Sequence, residues 1–127
     1  MIKAISTIFK SLKMLNKRTV EIEFLDEIVV ETNGVREAYR ILDTFTNKER
    51  LKKLVIIGKL TEITKDARLL IVEENKQRQE KIIAEAILVN SFAQKLSANF
   101  YILFLKNIYP IQFFTDRLKA ELWLMEY

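Results

Sequence analysis

Histidine and cysteine are both absent from the 127 residues of this chain. Histidine is the one side chain whose ordinary pKa falls roughly between pH 5 and 8, and together with cysteine it supplies most nucleophile and transition-metal chemistry. Catalysis would have to rest on carboxylates, lysines, tyrosines or hydroxyls with strongly shifted pKa values. The expectation is therefore a binding module rather than an enzyme, with no catalytic residue, no metal site and no cofactor. Without cysteine there is no disulfide framework and no thiolate metal site, which suits a reducing cytoplasm. Two glycines and one proline leave little material for long loops, β-sandwich turn clusters or a glycine-rich phosphate cradle. Gly58-Lys59 with Thr61 is only a fragment of a phosphate loop: Lys53 and Leu60 occupy the positions that need glycine and Ser or Thr. No dinucleotide-binding glycine pattern occurs. No apolar run approaches the roughly 20 residues that cross a bilayer, and the N-terminus lacks the apolar segment and cleavage site of a signal peptide.

Half of the residues are apolar and 30% are charged, an ordinary balance for a soluble globular protein. The formal net charge of +4 is unevenly placed. Residues 1–18 hold Lys3, Lys10, Lys13, Lys17 and Arg18 without an acid, whereas the remaining 109 residues carry −1. A nearly neutral body lacks the clustered basic footprint of a nucleic-acid binder, so no nucleic acid is expected as a partner.

Periodicity divides the chain into a basic amphipathic arm, residues 1–17, and one α/β domain, residues 18–127. In the arm, Ile2, Ile5, Ile8, Phe9, Leu12 and Leu15 recur at steps of three and four, predicting a helix with one apolar face. The arm has three readings: docked on the body, in contact with a membrane surface through its lysines, or a loose extension. Val20, Ile22 and Phe24 then alternate with polar residues as a strand. Ile28 to Val30 reads as its hairpin partner after a turn at Leu25-Asp26-Glu27, and Asn33-Gly34 then breaks that strand. Val35, Ala38, Tyr39, Leu42 and Phe45 share a helical face. The unbroken run from Leu54 to Ile57 reads as a strand covered on both faces. Thr64 caps a helix to about Glu80, whose polar half from Glu73 to Glu80 is expected to face water. Ile82 to Val89 is the next strand, Asn90 or Ser91 caps a helix to about Lys106, and Pro110 opens a short strand. Thr115 or Asp116 caps a final helix carrying Leu118, Leu122, Trp123 and Met125. Strands separated by helices imply crossovers, hence a mainly parallel sheet of four to five strands with helices on both faces.

The segments Ile63 to Arg68, Ala84 to Ile102 and Tyr109 to Leu124 resemble bacterial STAS-like (SpoIIAA-like, STAS/Sec14-related) domains, in the same element order, over roughly residues 18–125. The resemblance implies a small regulatory, non-catalytic interaction domain of the kind found in anti-sigma-factor antagonists. Regulatory members carry a phosphorylated serine at the start of the helix after the third strand. The matching stretch here, Leu60 to Thr64, holds no serine, so Thr64 is the candidate phospho-acceptor by position, beside its simpler role as a helix cap.

Two features bear on partners. Phe100-Tyr101-Ile102-Leu103-Phe104-Leu105 is an apolar run of six, and at about 100° per residue it wraps the whole circumference of a helix. One side packs on the sheet; Tyr101, Ile102 and Leu105 are the candidate outward surface for a partner protein or a homodimer. Trp123 and Tyr109 read as core, with a ligand pocket as the alternative. The leading function is a cytoplasmic protein–protein interaction module. The alternative is a carrier of a lipid or other apolar molecule bound between the C-terminal helices.

Overall fold

The computed structural model describes residues 8–46, 49–91 and 109–127. Their elements are β1 (Phe9–Met14), β2 (Thr19–Phe24), β3 (Val29–Val30), α1 (Thr32–Phe45), β4 (Leu51–Ile56), β5 (Glu62–Ile63), α2 (Lys65–Gln77), β6 (Ile82–Leu88), β7 (Ile111–Phe114) and α3 (Arg117–Leu124). Five strands make the main sheet in the order β1-β2-β4-β6-β7. The pairings β2–β4, β4–β6 and β6–β7 are parallel, and β1 runs antiparallel to β2. The sheet is thus mixed, where the sequence predicts a mainly parallel one.

Each strand sorts its side chains by the two-residue repeat of the pleat. Val20, Ile22, Val55, Ile87 and Phe113 face one way and pack under Val35, Tyr39 and Leu42 of α1 and Ala67 of α2. Leu54, Ile56, Ala84, Ala86 and Phe114 face the other way, under Ala120 and Leu124 of α3. Helices therefore cover both faces, as the element order implies. Ala84, Ala86 and Ala120 are wholly buried, so α3 rests on methyl groups at its contact with β6. Trp123 closes that layer against Phe114 and Tyr127, with ring centroids 5.7 and 5.0 Å away.

Three local expectations are corrected. Phe9–Met14 is not part of an amphipathic helix but the edge strand β1. The three-residue step from Phe9 to Leu12 that suggests a helix is produced by a register shift between Phe9 and Ser11 opposite β2. The extra residue of that bulge lets Phe9, Leu12 and Met14 all reach the same core. Ile28 to Val30 is not the hairpin partner of β2, because β1 takes that edge. Val29 and Val30 pair instead with Glu62 and Ile63 of β5 in a separate two-stranded parallel sheet. Asn33-Gly34 is not what ends that strand, which stops at Val30, but lies in the first turn of α1, after Glu31 at the N-cap.

The caps follow the sequence. Thr64 Oγ1 accepts a hydrogen bond from Ala67 N at 3.2 Å, and Asp116 Oδ1 accepts one from Lys119 N at 3.2 Å. Gly58 is the glycine the fold requires: a Cβ there would collide with the Leu25 carbonyl and the Thr61 hydroxyl. Beyond Ser91, the helix predicted to run to Lys106, with Tyr101, Ile102 and Leu105, lies outside the described residues.

Candidate functional site

Between the α1/α2 side of the sheet and those two helices lies a cavity of about 630 Å³. Its walls are aliphatic and aromatic: Ile22, Val55, Ile87 and Phe113 from the sheet, Leu42 from α1, Leu69 and Val72 from α2. Among the described residues none of α3 lines it. The cavity thus sits away from the C-terminal helix, whereas the carrier alternative places its ligand between the C-terminal helices.

Four charged residues share this lining: Lys65 and Arg68 are exposed, whereas Lys53 and Glu85 are buried. The register of β4 and β6 pairs Lys53 with Glu85, and the pleat turns both toward the cavity. Lys53 Nζ lies 3.2 Å from Glu85 Oε1, with side chains only 4% and 6% exposed. A charge so buried is tolerated only when paired and hydrogen-bonded. Tyr109 Oη donates to the same Glu85 Oε1 at 2.7 Å. Lys53 Nζ donates to Asn75 Oδ1 at 3.4 Å and lies 5.3 Å from the centre of the Tyr39 ring. Tyr39 Oη donates to that same Asn75 Oδ1 at 2.5 Å. Asn75 Nδ2 has no hydrogen-bond partner among the described residues.

Behind this cluster an outer ion pair fixes α2 to α1. Arg78 donates to both Asp43 oxygens, at 2.6 and 2.9 Å, and its guanidinium lies 4.8 Å from the Tyr39 ring centre. Hydrogen bonds from Arg78 hold the Asp43 carboxyl below its ordinary value, and those to Asp43 push Arg78 further up. Opposed across the sheet, Glu21 accepts from Ser11 at 2.7 Å and pairs with Arg117 at 2.5 Å. Burial raises the Glu21 carboxyl, but these two donors outweigh it and leave the group below its ordinary value. The pair ties α3 to β2.

Of the residues singled out from sequence, Thr64 caps α2 and is half-buried. Tyr109 reaches the cavity cluster through Glu85, while Trp123 lies on the opposite face of the sheet. The polar end of α2 does not all face water as expected. Asn75 is 1% exposed, and Arg78 and Glu74 are half-buried. Sequence reasoning passed over Lys53, Glu85, Tyr39 and Asn75 as a group. Signals were present: Lys53 alternates with Leu51 and Val55, Glu85 is the lone charge in an apolar strand, and Asn75 follows Ala67 and Ile71 at four-residue steps.

A second surface is exposed. Leu118, Leu122 and Met125, at steps of four and three, are 65%, 51% and 74% exposed on and just beyond α3. Among the described residues, no helix is long and apolar enough to cross a membrane and no group of three or more carboxylates is placed to hold a metal ion.

By structural likeness the α/β fold is SpoIIAA-like. The crystal structure of an uncharacterised DUF3478-family protein with a SpoIIAA-like fold, from Shewanella loihica, superposes with a TM-score of 0.70 at 12% identity, over 90% of this chain and 92% of that one. The chain itself belongs to the family described as a domain of unknown function, DUF7793, which matches residues 13–127. No curated protein matches it.

Proposed function

We propose that this chain is a non-catalytic STAS-like module that holds an apolar or amphipathic small molecule against the α1/α2 face of its sheet. The observation that carries this reading is the cavity of about 630 Å³. Close-packed cores keep few voids larger than a water molecule, whereas ligand pockets span roughly 300–1,000 Å³ with apolar walls and a few convergent polar groups. Lys53, Glu85 and Tyr39 supply that polar end.

A second reading, a module that binds another protein or a second copy of itself, is favoured by the exposed stripe Leu118, Leu122 and Met125. Exposed apolar stripes on otherwise polar surfaces mark contact sites. Under that reading Thr64 keeps its place as a phospho-acceptor, since negative charge is favourable at a helix N-terminus.

Native mass spectrometry of freshly purified protein tests both. A small molecule retained by the monomer supports the carrier. A dimer or protein complex without such an adduct supports the interaction module. A bare monomer that also takes up no apolar dye overturns the carrier reading.

A further inference from the structure

We infer that the molecule held in the cavity is a single-chain amphiphile with an anionic head, its tail among the apolar walls and its head at a lip formed by Lys65 and Arg68 of α2; the inference rests on the cavity being a ligand site. Among the described residues that line the cavity, those exposed to water are Lys65, Arg68 and Leu69. Positions three and four apart on a helix are neighbours, so these three share one edge of α2 and mark where the cavity meets solvent. Lysine and arginine lay their aliphatic stems along apolar surface while the charged ends stay in water, which suits such a lip. Arg68 is anchored there by a hydrogen bond from its Nη1 to the Ile63 carbonyl at 2.7 Å.

Charge decides the sign of the head. Among the described residues the lining holds three cations, Lys53, Lys65 and Arg68, and one anion, Glu85. Lys53 and Glu85 cancel each other at 3.2 Å in the buried part, so that end selects no charge. The surplus is the two cations of the lip. Glu62 and Asp66, the acids nearest to them in sequence, are exposed and do not line the cavity. The N-terminus of α2 adds the same positive sign. A carboxylate or phosphate head at this lip keeps part of its hydration and meets two cations, while its tail is buried against the sheet. An ammonium head there is repelled. Either ion carried deeper would lose its hydration beside a pair that is already neutral, which is unfavourable.

The test is displacement of an apolar fluorescent dye from the full chain by decanoate, decanol and decylamine, which share one tail. At about pH 8 and low salt the acid is ionised and the amine protonated. Decanoate is expected to displace the dye at about tenfold lower concentration than decylamine, two attractive contacts with exposed charges against two repulsive ones. The gap should shrink as salt is added. Lys65→Gln combined with Arg68→Gln should weaken decanoate about fivefold and leave uncharged decanol unchanged. Equal displacement by decanoate and decylamine, or stronger displacement by decylamine, overturns the head assignment and leaves the carrier reading standing. A folded double variant that binds decanoate as the wild type does, or that loses decanol equally, refutes the charged lip. Failure of the dye and all three ligands to bind overturns both readings. If the double variant does not fold, the wild-type series and its salt dependence decide alone.

Discussion

Breaking the Lys53–Glu85 pair should be costly, and removing both charges together should not be. At 3.2 Å and an effective dielectric near 20, the mutual attraction is about 5 kcal/mol. Desolvating each ion costs several kcal/mol, so the intact pair contributes little net stability. Lys53→Met removes the attraction and leaves the Glu85 carboxylate buried with, among the described residues, the Tyr109 hydroxyl as its remaining donor, unless it takes up a proton. The expected loss is about 3–5 kcal/mol, a large share of the roughly 5–15 kcal/mol of a folded domain. Lys53→Met combined with Glu85→Met restores a neutral, volume-matched wall and should return to within about 2 kcal/mol of the wild type. Urea unfolding followed by Trp123 fluorescence reads this well. The single tryptophan packs against Phe114 and Tyr127 on the opposite face, so the probe is remote from the change. A single variant costing less than about 1 kcal/mol, or a double variant as unstable as the two singles added, would refute the reasoning.

Two further outcomes follow from the caps and the carboxylates. Thr64→Ala should lose about 1 kcal/mol through the missing acceptor for Ala67 N, while Thr64→Ser should be nearly silent in the same unfolding assay. A Thr64→Glu protein that loses a partner which Thr64→Ala retains would show a phospho-switch rather than a cap alone. For pH, Glu21 and Asp43 are both held below their ordinary values. The unfolded chain then binds protons more readily than the folded one as acid is added, so stability is fully present above the ordinary carboxylate range and falls below about pH 4.5. With no histidine in the chain, thermal unfolding midpoints should stay level from about pH 8 to 5.5; a clear drop inside that window contradicts the assignment.

The amino-acid sequence by itself determined what depends on neighbouring residues. Apolar periodicity placed α1, α2, α3, β2, β4, β6 and β7, because the 3.6- and two-residue repeats are properties of consecutive positions. Thr64, and the pair Thr115-Asp116 of which Asp116 is the cap, marked helix starts for the equally local reason that a cap bonds three residues ahead. The absence of histidine and cysteine bounded the chemistry before any fold was known. Tertiary structure decided what depends on partners remote in the chain. A bulge lets the pattern of β1 imitate a helix, and only the open edge of β2 makes that segment a strand. Val29 and Val30 have strand character in any setting, yet which strand they join is settled by Glu62 and Ile63. Lys53, Glu85 and Asn75 look like surface residues one at a time, since lysine, glutamate and asparagine are mostly exposed. Their burial becomes affordable only when β4, β6 and α2 bring the three together, and pairing across strands is a matter of register that no local window contains.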